Sequence, residues 1–592
     1  MSFDNMVEVD IESKKIERGA PLLPLPVGVA LGIPGRDRIY LAWGHPSGNN
    51  CTKEDAGRVI QSIWDRPWLT HNGAIFDVPD LAHHFGLAPR NPLLTHDTLF
   101  AAYLSNPHAR SLSLKDLAEN ELGIAPDEQQ EMYDWIMANV PDCRSRKECG
   151  AYISETPAEI SGPYAIGDIH RTREIWEHFK PAVLAMPEAY DRERKLAPII
   201  AKLQHRGVRV DMGGLHAVHA HCRLKKAKVE ALIRDHIKVG TEFDFKDAVL
   251  CARLKELGYS GFLMTPTGKP SMNKESLEKV LAEDPVLRTM LKSRSTYDTL
   301  LTTFIVPWLE MATANNGRMH PNYNQVRNPD GFGTRTGRLS SNDPNFQNVP
   351  SDRAGDDWEG DPFPLMRSFL LPEEGQVWVC GDFKSQEPRL TAHYEGGALL
   401  EAFIANPHLD PYQFIMQLAG GSTTRHQAKQ IFLGLVYAMG VDRLAEKLGC
   451  SSGEASVTRN IVKASIPDVV ALDRECKKRF QSGLPIRTLG GRIYYCEPPS
   501  NGRSWEYKAL NTLIQGSAAD QSKEGMIYVD PLLDAIGGRL LGQVHDELSA
   551  SCFERDYDSV CEMFQEAANY LPCDVPMIMD VGYGPNWAEA KP

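Results

Sequence analysis

The 592-residue chain has 12 cysteines but no pair with the Cys-x-x-Cys spacing. The two that lie nearest to each other in sequence, Cys143 and Cys149, do not match a usual zinc spacing either. Nothing in the cysteine pattern therefore supports a zinc-binding module. We expect free thiols in a reducing compartment.

Long hydrophobic runs are also absent. No stretch of 18 consecutive apolar residues occurs, which excludes an obvious membrane-spanning helix. The N-terminus carries Asp4, Glu8 and Asp10 where a secretory signal peptide would be basic and then apolar. We therefore expect a soluble, cytoplasmic protein with no membrane partner.

Positive charge is scarce relative to negative charge. Lys and Arg number 64 against 78 Asp and Glu, a net charge of -14, which at first argues against a nucleic-acid partner. The objection is weak, because metal sites are built from carboxylates and a basic groove can lie on an acidic body. With 42% apolar and 24% charged residues, the composition is that of a globular protein. Its length predicts about three to five domains or subdomains.

Acidic residues near the N-terminus occur where they can converge. A strand-like alternation places Asp10 and Glu12 on one face, where they would repel each other without a cation between them. Asp77 follows at the start of a helical stretch, and Asp168 comes one helical turn after Tyr164. Taken singly, each acid is more simply a solvated surface residue. Together they have the chemistry of a two-metal phosphodiesterase.

Residues 1 to about 185 resemble the proofreading type of 3′→5′ exonuclease domain, and residues 97–104 and 113–118 are also similar to that family. The resemblance implies an RNase H-like fold and an active nuclease. It implies that Tyr164 orients the attacking water. The metal ligands that it implies are Asp10, Glu12, Asp77 and Asp168.

The second half contains two further acids that are placed for metal chemistry. A buried strand predicted for residues 376–381 ends at Asp382, and residues 540–548 predict a strand, a turn and a strand with Asp546 and Glu547 at the tip. Acids on such a turn are usually only solvated. On two adjacent strands, Asp382 and Asp546 would instead make a second two-metal site, suited to phosphoryl transfer.

The run from Arg425 to Tyr437 predicts a helix with one charged stripe. Arg425, Lys429 and Leu433 lie on one face at helical spacing, with Tyr437 one turn further. The two cations can grip a polyphosphate, while Leu433 and Tyr437 offer a surface beyond it. An ordinary amphipathic helix with a solvated basic edge explains the same pattern when the run is taken alone.

These segments together resemble a known family. Residues 338–348, Arg-Leu-Ser-Ser-Asn-Asp-Pro-Asn-Phe-Gln-Asn, are similar to a signature of family A DNA polymerases, the DNA polymerase I family. Asp382, Lys429 and Asp546 lie in segments similar to that family's motifs A, B and C, in the family's order. The resemblance covers almost the whole chain. It implies an α/β and α+β multidomain protein, an RNase H-like exonuclease followed by a right-hand polymerase.

The resemblance also implies roles for individual residues. Asp382 and Asp546 would bind two Mg²⁺ ions, with Mn²⁺ as an alternative, and each active site would hold such a pair. Lys429 would also protonate the leaving group, and Glu387 would fill the space that a ribose 2′-hydroxyl needs. The residues expected to bind the dNTP are Arg425, Lys429, Leu433, Tyr437 and Glu387. Those expected to bind primer and template are Arg338, Gln347, Asn348, Arg389, Lys508, Asn511, Gln515 and His545.

Domain bounds and partners follow from the same resemblance. The exonuclease domain is expected at 1–185 and the polymerase domain at 186–592. The polymerase would divide into a thumb at about 190–330, a palm at about 331–400 and 500–592, and fingers at about 401–499. The expected partners are primer-template DNA and dNTPs, for a monomer that works beside a replicative helicase and a single-strand binding protein.

The sequence departs from the family in three places. Leu433 replaces the usual aromatic residue four positions after the motif B lysine, motif A reads Asp-Phe-Lys-Ser-Gln-Glu, and Tyr412 stands where many members have histidine. These changes raise the hypothesis of altered sugar discrimination, or of a preference for a modified base such as 2-aminoadenine. Because the chain begins at the exonuclease domain, we expect a phage replicative enzyme that acts in the host cytoplasm.

Two alternatives stay open on sequence alone. A single-subunit RNA polymerase shares the palm acids and a similar helix, although Glu387 and the nuclease domain argue against it. A repair exonuclease whose second half only binds DNA would need no metal at Asp546.

Overall fold

A computed structural model describes residues 3, 5–16, 19–21, 23–265, 267–327, 333–352, 354–500 and 502–592. Within these residues, every helix is too short or too polar to cross a membrane. The architecture is mixed α/β and α+β, as predicted, with one large sheet in the N-terminal part, a second large sheet in the C-terminal part and three smaller sheets among the described residues.

The N-terminal part is a five-stranded mixed sheet surrounded by helices. Its strand order is β3-β2-β1-β4-β5, with β1 antiparallel to β2 and parallel to β4. The strands are β1 (Val7–Ser13), β2 (Pro26–Gly32), β3 (Ile39–Ala42), β4 (Trp68–Thr70) and β5 (Thr95–Asp97). The helices are α1 (Lys53–Ile63), α2 (Asp77–Phe85), α3 (Thr98–Ser105), α4 (Leu114–Leu122), α5 (Asp127–Asn139) and α6 (Ala158–Ala185).

Alternation along β1 explains how this strand serves both the core and the site. Val7, Val9 and Ile11 enter one apolar cluster, which leaves Asp10 and Glu12 on the other face of the sheet. On that face the long helix α6 packs against β2 and β3 through small and apolar side chains. Acidic residues on β1 are thereby brought beneath α6.

One helix leads from this sheet into the rest of the chain. α7 (Pro187–Arg206) begins with a proline at its first position, where the missing N–H costs nothing. It ends at Gly207, whose φ of 63° lies in the left-handed region that favours glycine.

Helices dominate the region between residues 208 and 314. α8 packs along α11, and a π-helical segment, Leu300–Ile305, joins α11 to α12. The elements are β6 (Val208–Val210), α8 (Met212–His236), α9 (Asp247–Glu256), α10 (Lys274–Val280), α11 (Pro285–Thr299) and α12 (Val306–Ala314). Four short strands follow, namely β7 (Arg318–Met319), β8 (Asn322–Asn324), β9 (Ser340–Asn342) and β10 (Leu370–Leu371).

The second large sheet is antiparallel. Its order is β14-β15-β11-β16, so β11 lies directly beside β15. The strands are β11 (Val377–Phe383), β14 (Arg539–Val544), β15 (Glu547–Cys552) and β16 (Met579–Gly584). Helices α20 (Ala509–Ala535) and α21 (Tyr557–Ala568) pack against it through a shared apolar core. The predicted strand, turn and strand are present, and adjacency to β11 satisfies the geometric condition for a second metal site.

A helical region is inserted between β11 and α20. Its helices share one apolar core, to which α16 contributes Ala428, Ile431 and Phe432. A short hairpin completes the region. The helices are α13 (Gln386–Glu395), α14 (Ala398–Ala405), α15 (Pro411–Leu418), α16 (Arg425–Val436), α17 (Val441–Leu448), α18 (Ser452–Ser465) and α19 (Pro467–Gln481), and the hairpin strands are β12 (Ile486–Arg487) and β13 (Ile493–Tyr494).

Helix α7 carries a buried charge cluster that joins the two halves of the molecule. Glu193 accepts hydrogen bonds at 2.9 Å from Lys523 of α20 and a further one from Arg492, which follows β12. Arg192 donates to Asp520 of α20 at 2.9 Å, and Arg492 donates to the same carboxylate at 2.6 Å. We call these five residues the junction cluster.

Helix α7 is also hydrogen-bonded to the N-terminal sheet. Arg194 donates to the backbone carbonyl of Thr95 at 2.8 Å, and Tyr190 accepts a hydrogen bond from the backbone N–H of Asp97 at 2.9 Å. Consecutive turns of α7 are therefore bonded to β5 on one side and to α20 on the other.

Candidate active sites

The first acidic centre lies between β1 and α6. Asp10, Glu12 and Asp168 each offer a carboxylate oxygen, and these oxygens lie within 4.8 Å of one another. Three of the four predicted ligands are therefore close enough to share one cation. A cavity of about 240 Å³ opens onto them.

Asp77 stands slightly apart from that group. It begins α2, is buried, and lines the same cavity, but it is not among the three carboxylates that lie within 4.8 Å of one another. Tyr164 lines the cavity one turn before Asp168 on α6, as predicted. The structure thus brings all five predicted residues to one cavity, with Asp77 at its edge.

Electrostatics at this centre favour a cation. Burial and, after it, the negative charge of Asp168 together raise the pKa of Asp10 to about 8, although Lys115 opposes the rise. Burial also raises the pKa of Glu12 and that of Asp77 well above their usual ranges. Asp77 Oδ2 and Asp168 Oδ1 are buried without a hydrogen-bond partner. Such oxygens fit hard divalent ions like Mg²⁺.

Lys115 is a residue of this cavity that sequence analysis did not single out. Its Nζ donates to the Tyr164 hydroxyl at 2.8 Å and also contacts Asp168 Oδ2. The available signal was its position in the run of residues 113–118 that resembles the exonuclease family.

The second acidic centre lies where β11 meets the hairpin of β14 and β15. Asp382 pairs with Glu547 across the two strands, and the N–H of Phe383 donates to the carbonyl of Asp546 at 3.1 Å. Burial, followed by the charges of Asp546 and Glu547, raises the pKa of Asp382 to about 7. Burial raises the pKa of Asp546 as well. Asp382 Oδ1 is buried without a hydrogen-bond partner, so this pair also fits a divalent cation.

Glu547 is not at the tip of the hairpin, where sequence analysis placed it. His545, with a φ of 56°, and Asp546 form the turn, whereas Glu547 begins β15 and points into the protein. Its carboxylate accepts hydrogen bonds from Arg367 at 2.9 Å and from Trp587. The Glu547 side chain therefore forms a buried salt bridge with Arg367.

The predicted phosphate-binding stripe is exposed on α16. Arg425 is exposed and donates to Asp410 at 2.7 Å, and Lys429 is exposed with its Nζ 5.7 Å from the ring of Tyr412. Leu433 is half-buried against the apolar core of this region, and Tyr437 follows the last helical residue.

Glu387 links α13 to the end of α16. Tyr437 donates its hydroxyl proton to this carboxylate, with oxygen distances of 2.7 and 2.9 Å. Arg338 donates to the same carboxylate at 2.7 Å. Glu387 and Tyr437 are therefore in direct contact.

Most of the predicted DNA-binding residues are at least partly exposed. Gln347 accepts from the N–H of His545 at 3.0 Å, which ties the 338–348 segment to the hairpin turn. Lys508 lies in a single 3-10 turn just before α20. The residues with partly or fully exposed side chains are Arg338, Gln347, Asn348, Lys508, Asn511, Gln515 and His545.

Arg389 is the exception and corrects the prediction of a DNA contact. It is 0% exposed, and its guanidinium donates to the backbone carbonyls of Lys384 at 2.8 Å, Pro576 at 2.6 Å and Pro407 at 2.5 Å. It also lies over the ring of Phe403. A side chain without exposed surface supports the fold and cannot touch DNA in this conformation.

Comparison with known proteins decides the family. Residues 217–589 match DNA polymerase family A, and residues 50–184 match a 3'-5' exonuclease family. The chain belongs to DNA polymerase family A. The two matches confirm that this family A polymerase has an exonuclease domain followed by a polymerase domain, as predicted.

Relatives of this family A polymerase occur in phages and in bacteria. It is 30% identical over 502 residues to a DNA-directed DNA polymerase of Pseudomonas phage M6. The alignment covers 73% of this chain and 71% of the phage protein. It is 29% identical over 532 residues to DNA polymerase DpoZ of Vibrio phage phiVC8. That alignment covers 82% of this chain and 79% of the phage protein. Against DNA polymerase I of Chloroflexus aurantiacus it is 28% identical over 599 residues, covering 96% of this chain and 60% of that protein.

A solved structure has the same fold. The polymerase domain of Pol1 from M. smegmatis, in complex with DNA primer-template and dNTP, aligns with a TM-score of 0.79 and 23% identity. The alignment covers 100% of this chain and 97% of that chain. At this identity, the likeness shows the fold alone.

Proposed function

We propose that this family A polymerase extends a primer 3′ end with dNTPs along a DNA template and removes mispaired ends with its 3′→5′ exonuclease. The observation that carries the proposal is the presence of two separate acidic centres in one chain. One joins β1 to α6, and the other joins β11 to the hairpin of β14 and β15. The likeness to family A and to a 3'-5' exonuclease family supports it.

At the polymerase centre, Asp382 and Asp546 would hold two divalent cations, with Mg²⁺ as the first choice and Mn²⁺ as the alternative. Such ions activate the primer 3′-hydroxyl and neutralise the leaving pyrophosphate. Arg425 and Lys429 bind the β and γ phosphates from the exposed edge of α16, and Lys429 gives a proton to the leaving group. The exposure of both cations supports this role, although Arg425 must exchange its contact with Asp410 for the phosphate.

Selection of the sugar depends on Glu387. Its carboxylate, fixed by Tyr437 and Arg338, fills the volume that a 2′-hydroxyl would need. Leu433 and Tyr437 form the surface against which the incoming nucleotide packs. Because Leu433 is aliphatic, its packing against the sugar and base lacks the ring contacts of an aromatic residue.

At the nuclease centre, Asp10, Glu12 and Asp168 would hold the cations, and Asp77 would complete the set from the edge of the cavity. Tyr164 orients the attacking water. The buried oxygens without hydrogen-bond partners on Asp77 and Asp168 support this assignment.

The remaining surfaces position the nucleic acid. We assign α8 to α12 to the thumb, the antiparallel sheet to the palm and α14 to α19 to the fingers, within the bounds expected from sequence. The enzyme works as a monomer beside a helicase and a single-strand binding protein, in the cytoplasm of a phage host, which its likeness to phage polymerases supports. The primer and template contacts are Arg338, Gln347, Asn348, Lys508, Asn511, Gln515 and His545.

Primer extension with a pair of variants tests the polymerase assignment. Asp546→Ala should abolish synthesis and preserve the nuclease, whereas Asp558→Ala, an exposed acid on α21, should change neither. If Asp546→Ala synthesised DNA normally, the second half would only bind DNA. Equal extension by the wild type with rNTPs and dNTPs would favour an RNA polymerase instead.

Degradation of a single-stranded 3′ end tests the nuclease assignment. Asp10→Ala should lose degradation and retain extension, whereas the exposed Asp65→Ala on the same domain should retain both. Normal degradation by Asp10→Ala would refute the proposed nuclease centre.

A further inference from the structure

The side chain of Lys115 reaches into the nuclease cavity from α4. Its Nζ donates to the Tyr164 hydroxyl at 2.8 Å, contacts Asp168 Oδ2 and lies 4.3 Å from the centroid of the Tyr164 ring. The side chain is only 19% exposed. Lys115 and His71 are the only basic residues among those that line this cavity in the described part of the chain.

The contacts of Lys115 fix the roles of the atoms that it touches. An ammonium group donates hydrogen bonds and cannot accept them, so the Tyr164 oxygen must be the acceptor. The hydroxyl proton of Tyr164 then remains available for another partner. On Asp168, the ammonium occupies Oδ2 and leaves Oδ1, a buried oxygen without a hydrogen-bond partner. Arg171 lies 3.5 Å from Oδ1, on the same helix.

We propose that Lys115 is a positioning residue of the nuclease that also sets how tightly the site binds its cation. It holds Tyr164 with the hydroxyl proton free to bond the attacking water, and it holds Asp168 with one oxygen free for a metal ion. This inference rests on the proposed nuclease function. It assigns Lys115 no direct contact with the substrate.

Two opposing effects on metal affinity follow from this arrangement. Ordering of Asp168 strengthens binding, as the outer contacts of metal ligands usually do. The positive charge of Lys115, which shares Asp168 with the ion, weakens binding by direct repulsion. Repulsion between a divalent ion and an ammonium a few ångströms away exceeds the benefit of ordering one carboxylate. Loss of the charge should therefore tighten metal binding while it slows the reaction.

The experiment measures turnover and metal binding separately. Degradation of a single-stranded 3′ end gives kcat, and titration with Mn²⁺ by calorimetry gives affinity. The titration uses a background of Asp382→Asn with Asp546→Asn, so that it reports on the nuclease centre. Lys115→Met should lower kcat by about 10- to 100-fold and tighten Mn²⁺ binding by about 10-fold.

Two further variants separate charge from geometry. Lys115→Arg keeps the charge, so Mn²⁺ affinity should stay at the wild-type value while kcat recovers in part. Lys147→Met, an exposed lysine on the same domain, should change neither quantity. Primer extension by each variant in the background with an intact polymerase site checks the fold.

The outcomes that overturn the inference are distinct from failure of the proposed function. Unchanged kcat in Lys115→Met would refute positioning, and unchanged or weaker Mn²⁺ binding would refute the charge effect. If the wild-type protein failed to degrade any 3′ end, the proposed nuclease function would fail. The Mn²⁺ titration would still decide whether Lys115 opposes the cation.

Discussion

The junction cluster makes a quantitative prediction about stability. Glu193 is 0% exposed and is the only carboxylate in contact with Lys523 among the described ion pairs, while Arg492 divides its contacts between Glu193 and Asp520. Glu193→Gln keeps the shape and removes the charge. Lys523 and Arg492 would then be left in the interior with Asp520 as the nearest compensation. Removal of one partner from a buried ion pair costs about 3–5 kcal/mol.

The pKa of Glu193 gives a second measure of the same effect. Burial alone would raise it, but Lys523 and Arg492 outweigh burial and lower the pKa from 4.5 to about 2. That difference corresponds to about 3 kcal/mol of stability. Because the folded pKa is lowered, this stability is present in full above about pH 4.5 and is lost as the pH falls through about 2. Burial lowers the pKa of Lys523 to about 8 in spite of the attraction of Glu193, so the carboxylate gains from the pair whereas the buried ammonium does not.

Urea unfolding followed by tryptophan fluorescence is the assay. At pH 7, Glu193→Gln should lower the free energy of unfolding of the region that contains α7 and α20 by about 3 kcal/mol. Glu188→Gln, an exposed glutamate on the same helix, is the matched control and should change it by less than about 0.5 kcal/mol. The difference between the wild type and Glu193→Gln should shrink below pH 4.5. Equal stability of the two variants at pH 7 would refute the reasoning.

Two other predictions concern motif A. Arg389→Met should lower the free energy of unfolding by about 3 kcal/mol or more, because it leaves buried carbonyls without donors. Below the melting temperature of the variant, its DNA affinity, measured by fluorescence anisotropy, should equal that of the wild type. A specific loss of DNA affinity would restore Arg389 as a DNA contact. Glu387→Ala should raise the ratio of rNTP to dNTP incorporation in single-nucleotide extension, since it opens space beside the sugar, and an unchanged ratio would show that Glu387 is not the sugar gate.

The acidic centres were accessible to sequence analysis because their chemistry is local. Asp10 and Glu12 are two residues apart on a strand, and Tyr164 and Asp168 are one turn apart on a helix, so periodicity alone puts each pair on one face. The sequence spacing of Asp382 and Asp546 carries no such information. Their proximity depends on β11 pairing with β15, which the resemblance to a polymerase family supplied.

The errors arose where burial decides the role of a charged residue. Arg389 reads as a cation in a DNA-binding motif, but three backbone carbonyls from separate segments meet its guanidinium in the interior. Glu547 reads as the tip of a turn, yet Arg367 and Trp587 draw it inward. Arg367 is 180 residues from Glu547, and partners so distant in sequence leave no local pattern.

The two-sided attachment of α7 bears on how a primer end reaches the nuclease. Arg194 bonds the sheet of the nuclease domain, and Arg192 and Glu193 bond the palm through charges that have no access to water. A swing of one domain against the other would have to break these bonds, so the two centres keep a fixed separation. The primer end must therefore move from the polymerase centre to the nuclease centre. The rate of proofreading should then be governed by how readily the last base pairs of the primer melt, and a weakly paired terminus becomes its own signal for removal.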